Sequence, residues 1–150
     1  ARIAIAGHSM GGWATTQVAS KDPTLVGAVL ISAADMARLG DMPRVARVQA
    51  ASGNAETLVT TPEKMADELA GAVKALTLKS TASGLSKFPV LVLSSDDGLA
   101  AGTDALATDI RGAGGNVQTA HEATDHSWSD KRLRLAGLVT DWLAALPGGN

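Results

Sequence analysis

Ile3-Ala4-Ile5-Ala6-Gly7-His8-Ser9-Met10-Gly11-Gly12 decides how the rest of this chain is read. The run Ile3 to Ala6 is short, apolar and closed by Gly7, which marks a strand buried on both faces, as in parallel sheets. A helical pattern follows from about Met10 to Ala19, and Asp22-Pro23 stops it. Gly27-Ala28-Val29-Leu30-Ile31 is a second buried strand. The opening unit is therefore strand, tight turn, helix, strand, with a serine at the turn.

Outward from this unit, residues 32–87 contain no strand-like run. Their clearest element is a helix from Pro62 to about Leu78, with Thr61 as N-cap, proline in the first turn and Met65, Leu69, Val73 and Leu76 on one face. Residues 33–87 read as a helical insertion, either plain connecting helices or a small lid over an active site. Phe88 to Leu93 is a third strand. A helix capped by Thr103 runs to about Arg111 and closes on Gly112, Gly114 and Gly115. Asn116 to Ala120 is a more polar fourth strand near a sheet edge. The last helix runs from about Ser129 to Leu146, with the stripe Leu135, Leu138, Val139, Trp142 and Leu146. Such alternation predicts an α/β fold class, a mostly parallel sheet covered by helices in a single domain over 1–150.

Composition narrows the function without naming it. Hydrophobic residues make up 45% of the 150 and charged residues 19%, an ordinary globular balance. A formal net charge of −2 gives no reason to expect nucleic acid or an anionic membrane as partner. No apolar run is long enough for a membrane helix. Cysteine is absent, which excludes thiolate chemistry and leaves the compartment open.

Gly7-His8-Ser9-Met10-Gly11 carries the pattern G-x-S-x-G between a buried strand and a helix. A nucleophile on so tight a turn needs a strained backbone, and side chains two residues before and after it would collide. The following helix directs its N-terminal N–H groups at Ser9, and the N–H of Met10 is placed to hold an oxyanion. His8 reads as a packing residue. A serine hydroxyl needs a base, usually a histidine oriented by a carboxylate, and here the chain order would be Ser, Asp, His. Asp96 and Asp97 follow the third strand, at the end of the sheet where such sites lie. Asp97 is favoured over Asp96 as the acid. Of the three histidines, His8 is in the turn and His121 in or at the end of strand four. His126, in the loop before the last helix, is the expected base.

Other chemistries fit poorly. His121-Glu122-Ala123-Thr124-Asp125-His126 looks like a zinc motif, but its histidines are not at the helical spacing that motif requires, so no metal is expected. Neither a phosphate loop nor a dinucleotide fingerprint occurs, so no cofactor is expected. Lys131, Arg132 and Arg134 read as a solvated helix face.

Gly-His-Ser-Met-Gly-Gly at 7–12, Ser-Asp-Asp-Gly-Leu at 95–99 and Thr-Asp-His-Ser at 124–127 resemble the α/β-hydrolases. Within them the resemblance is to the dienelactone-hydrolase-like and prolyl-oligopeptidase-like esterases and peptidases. Ser94 stands where that family frequently has glycine. The resemblance implies a sheet of about eight strands with the serine after the fifth, so that this chain corresponds to the C-terminal half, strands five to eight. It implies an ester or amide substrate, small-molecule or peptide, cleaved through an acyl-enzyme on Ser9. The second oxyanion donor of the family lies in the loop after strand three, outside this chain. The alternatives are a non-catalytic relative that binds a ligand, or a fragment of such a hydrolase that is inactive on its own. Dehalogenase and epoxide hydrolase chemistry, which needs a carboxylate at the turn, is excluded by Ser9.

Overall fold

In Gly27–Ile31 (β2) and Val90–Ser95 (β3), side chains of alternating residues go to opposite cores. Ala28, Leu30, Val90 and Val92 join one cluster, while Val29, Leu91 and Leu93 join another. That is why these runs are apolar throughout rather than alternating. The computed structural model describes residues 2–55, 57–72 and 75–147. β1 (Ala4–His8) and β4 (Val117–Glu122) complete a four-stranded parallel sheet in the order β1-β2-β3-β4. Its register pairs Ala6 with Val29, Val29 with Leu91 and Leu91 with Gln118.

A sheet that grows in one direction, with right-handed crossovers, places its crossing helices on one face. α1 (Met10–Ala19), α5 (Ala82–Leu85) and α6 (Ala100–Gly112) accordingly share a core through Ala19, Leu85, Leu106 and Ile110. α7 (Arg132–Ala144) follows the last strand and covers the other face. Leu135, Leu138, Val139, Trp142 and Leu146 all pack there, the stripe read from the sequence.

The segment between β2 and β3 divides in two. α2 (Met36–Leu39), α3 (Arg44–Ala55) and α4 (Pro62–Ala72) build their own small core from Met36, Ala51, Met65 and Leu69. Arg44 and Asp67 join α3 to α4 with a two-pronged ion pair at 3.0 and 3.2 Å. Leu78, Ala82 and Leu85 instead return to the sheet core.

Several boundaries differ from the sequence reading. α4 ends at Ala72 as described, short of the expected Leu78. Val73 lies outside the described residues, and the Leu76 carbonyl serves the Trp13 indole at 2.6 Å and Gln17 at 3.0 Å. α6 begins at Ala100, not at Thr103. Thr103 is buried inside the helix and donates to the Ala100 carbonyl at 3.0 Å. The turn before it is set by Gly98, at φ 80°, and by the Leu99 N–H bonded to Asp97 Oδ1 at 2.9 Å. α7 begins at Arg132 because Trp128, at φ 56°, turns its side chain fully into the core.

Burial sets the expected cost of truncation. Leu30→Ala removes a side chain with no exposed surface and is expected to lose about 2–5 kcal/mol in urea denaturation. Leu133→Ala, at a position 91% exposed, should stay within about 0.5 kcal/mol of the parent.

Candidate active site

Ser9 has φ 56° and ψ −123°, a strained conformation for a residue with a side chain. Its peptide is held from three sides. The Ser9 N–H donates to the Ile31 carbonyl at 3.0 Å. The Ser9 carbonyl accepts from Gly12 at 3.0 Å and Trp13 at 3.2 Å, which starts α1, and from Ala34 at 3.1 Å, beyond β2. A β-carbon on Gly7 would lie 2.2 Å from the Gly11 carbonyl oxygen and 2.4 Å from Thr15 Oγ1. One on Gly12 would lie 2.6 Å from Ala33 Cβ. At Gly11 it would meet nothing within 4 Å. The expectation that glycine is needed on both sides of the motif is therefore corrected. Close packing demands it at Gly7 and Gly12, whereas the Gly11 position faces open space. Met10 opens α1, so its N–H has no carbonyl a turn back within the helix.

Asp97 and His126 come from the segments after β3 and β4 and meet at 2.8 Å, His126 Nδ1–H donating to Asp97 Oδ2. The Asp97 side chain is 4% exposed and that of His126 38%. With Nδ1 carrying the proton, the neutral ring keeps its lone pair on Nε2. Asp96 forms a separate pair with His121 at 3.0 Å, with side chains 63% and 50% exposed. A pair so open to water contributes little beyond what solvent offers each partner. Burial thus separates two neighbouring carboxylates that the sequence sets side by side. The two histidines of the zinc-like motif are drawn to different carboxylates.

Three residues not singled out from the sequence support Asp97. Ser95 Oγ donates to Asp97 Oδ2 at 2.9 Å. Ser32 Oγ lies 2.8 Å from Ser95 Oγ, and the Trp128 indole donates to Ser32 Oγ at 3.1 Å. Ser32, Ser95 and Trp128 are each at most 1% exposed. An indole N–H only donates and a carboxylate only accepts. Hydrogens therefore run one way, from Trp128 through Ser32 and Ser95 to Asp97. The available signal was a pair of serines closing an all-apolar strand and a tryptophan two residues beyond His126. Burial pushes the Asp97 carboxyl up, but hydrogen bonds from His126, the Leu99 N–H and Ser95 outweigh it and hold its pKa below 3.8.

His8 does pack, but on His126 itself. The two rings lie 4.6 Å apart between centroids, and His8 Nε2–H donates to the His126 carbonyl at 2.7 Å. The residue before Ser9 therefore holds the loop that carries His126. In addition, the Asp96 N–H donates to the Thr124 carbonyl at 3.1 Å, tying the loop after β3 to the loop after β4.

A parallel sheet with a strained serine after one strand, and a buried Asp–His pair after two others, is the arrangement of the α/β-hydrolase fold. Solved structures share that fold. An esterase of Pyrococcus furiosus matches with a TM-score of 0.71 at 14% identity, over 98% of this chain and 55% of its own. An acylaminoacyl peptidase of Pyrococcus horikoshii matches at 0.67 and 15%, over 95% of this chain and 23% of its own. An enol-lactonase of Burkholderia xenovorans matches at 0.62 and 21%, over 96% and 66%. The chain thus spans less than two thirds of the length of these proteins. No family model matches the sequence, and no curated protein matches it.

Gly7→Ala and Gly12→Ala should each destabilise the fold by about 1–3 kcal/mol or more, and Gly11→Ala by far less, in parallel urea titrations. The Asp97 carboxyl is lower in the folded chain, so its contribution to stability is complete above 3.8 and is lost as pH falls through the folded value. The stability gap between the parent and Asp97→Asn, measured across pH, should therefore narrow below 3.8.

Proposed function

We propose that this chain carries the nucleophile, acid and base of a serine hydrolase that cleaves an ester or amide bond. The observation that carries the proposal is the buried Asp97 bonded to His126 Nδ1, with His8 joining that histidine's loop to the residue beside Ser9. A binding protein has no use for a desolvated carboxylate that fixes an imidazole tautomer. Esterase and peptidase neighbours with this fold support the same reading.

In this mechanism His126 Nε2 takes the proton of Ser9 Oγ as the oxygen attacks the substrate carbonyl carbon. The Met10 N–H, at the positive end of α1, holds the oxyanion. His126 then gives its proton to the leaving alcohol or amine, and the acyl group stays on Ser9. A water molecule, deprotonated by His126, releases the acid and restores the serine. Asp97 stays ionised and keeps the imidazole in the useful tautomer. The chain represents the C-terminal part of the hydrolase sheet, and α2–α4 serve as a lid on the site. The substrate is a small molecule or a peptide. Among the described residues no helix is long and apolar enough to cross a membrane.

Labelling by a fluorophosphonate probe tests the proposal. Ser9 should be modified, with the adduct located by mass spectrometry, and Ser9→Ala should remain unlabelled. His126→Ala should lose nearly all labelling. Asp97→Asn is expected to slow turnover by a factor on the order of ten thousand, and Asp96→Asn to change it little. The reverse order of the two aspartate variants would transfer the acid role to Asp96. A folded chain that neither labels nor turns over any ester would mean a binding relative or a fragment inactive on its own, and the same test with the first four strands of the fold supplied separates them, since only the fragment regains labelling.

A further inference from the structure

The helices after β2 leave a cavity of about 450 Å³ against the start of α1. That size is typical of a small-molecule pocket. Met10 and Trp13 line it from α1, Met36 from α2, Met65 and Leu69 from α4, and Leu76 from the segment beyond. Thr60 and Glu68 are the polar residues of the lining. The Trp13 indole N–H is bonded to the Leu76 carbonyl at 2.6 Å, so the ring brings carbon surface to the cavity without an unsatisfied donor. Leu58 and Val59 also line it while standing 46% and 111% exposed, which puts apolar side chains at its opening.

Two connections tie this cavity to Ser9. Met10 is the next residue in the chain. Ala34, whose N–H bonds to the Ser9 carbonyl at 3.1 Å, lies just before Met36. The loop that holds His126 contributes nothing to the lining. That separation decides which part of a substrate belongs here. A leaving group must sit beside His126 to receive its proton, whereas the acyl group remains on Ser9.

We propose that the cavity is the acyl-binding site and that it selects uncharged, linear aliphatic acyl chains. The inference rests on the reading of Ser9 as nucleophile. Three methionines give the walls unbranched side chains that adapt to a flexible chain. Glu68 on the lining disfavours an acyl group that ends in a carboxylate.

The test compares p-nitrophenyl esters from acetate to octanoate, where the leaving group is constant. The value of kcat/KM should rise by up to about fourfold per methylene until the cavity is filled. A series of acetate esters with lengthening alcohols should show no such rise. Leu69→Trp and Met65→Trp, checked for folding by circular dichroism, should lower the octanoate-to-acetate ratio by about tenfold or more. In the parent, a flat acyl series, or an equal rise in the alcohol series, overturns the assignment whether or not either variant folds. A ratio unmoved in a folded variant also overturns it. Labelling of Ser9 by a small ethyl fluorophosphonate is read in parallel. If labelling persists, only the pocket assignment has failed. If it is absent here and also when the first four strands of the fold are supplied, the reading of Ser9 fails and takes the pocket with it.

Discussion

A carboxylate taken almost wholly out of water is stable only where donors replace the hydration it has lost. Asp97 meets that condition through donors from separate pieces of chain. They are the Leu99 N–H in its own turn, Ser95 from β3 and His126 from the loop after β4. Each is a charge-assisted bond, stronger than its neutral counterpart. Removing any one leaves a charge poorly satisfied in a dry place, so the surrounding geometry is held against local movement. The direction of the His126 ring, its tautomer and the start of α6 all follow from satisfying this one group.

The strained turn at Ser9 is maintained differently, by backbone bonds and close packing rather than by charge. Its carbonyl serves α1 and Ala34 together, so the start of that helix and the exit from β2 are fixed by the same oxygen. The exit from β2 then leads straight into α2, and the helical unit that packs on Met10 and Trp13 inherits its position from the turn. A single peptide thereby aligns Ser9 with the helices that border the cavity.

The strands were legible because parallel strands buried on both faces are written as unbroken apolar runs, and α7 because its stripe has helical spacing. Helix starts were less so. Thr103 looked like a cap, yet the true start was set by an aspartate and a glycine whose effect depends on the local turn. Asp97 could be preferred to Asp96 from the sequence, but the difference between them is one of burial, which adjacent residues do not encode. The link from Trp128 to Ser32 was invisible for a related reason. It joins segments far apart in sequence through a hydrogen bond that only the finished sheet creates. For His8 the sequence suggested packing, and it could not show that the partner was His126.

The strand order has a consequence for reach. Neighbouring strands are about 4.8 Å apart, so the ends of β1 and β4 are separated by roughly 14 Å across the sheet. A loop leaving β4 would by default stay near that edge. Here it is stitched back over the sheet at successive strands: to β3 through Asp97, to the end of β2 through Trp128 and Ser32, and to β1 through His8. Trp128 behaves as the anchor of a guy-line, buried beneath the sheet end while the loop it belongs to spans above. The histidine is thus carried across by a tether with fixing points on every strand it passes.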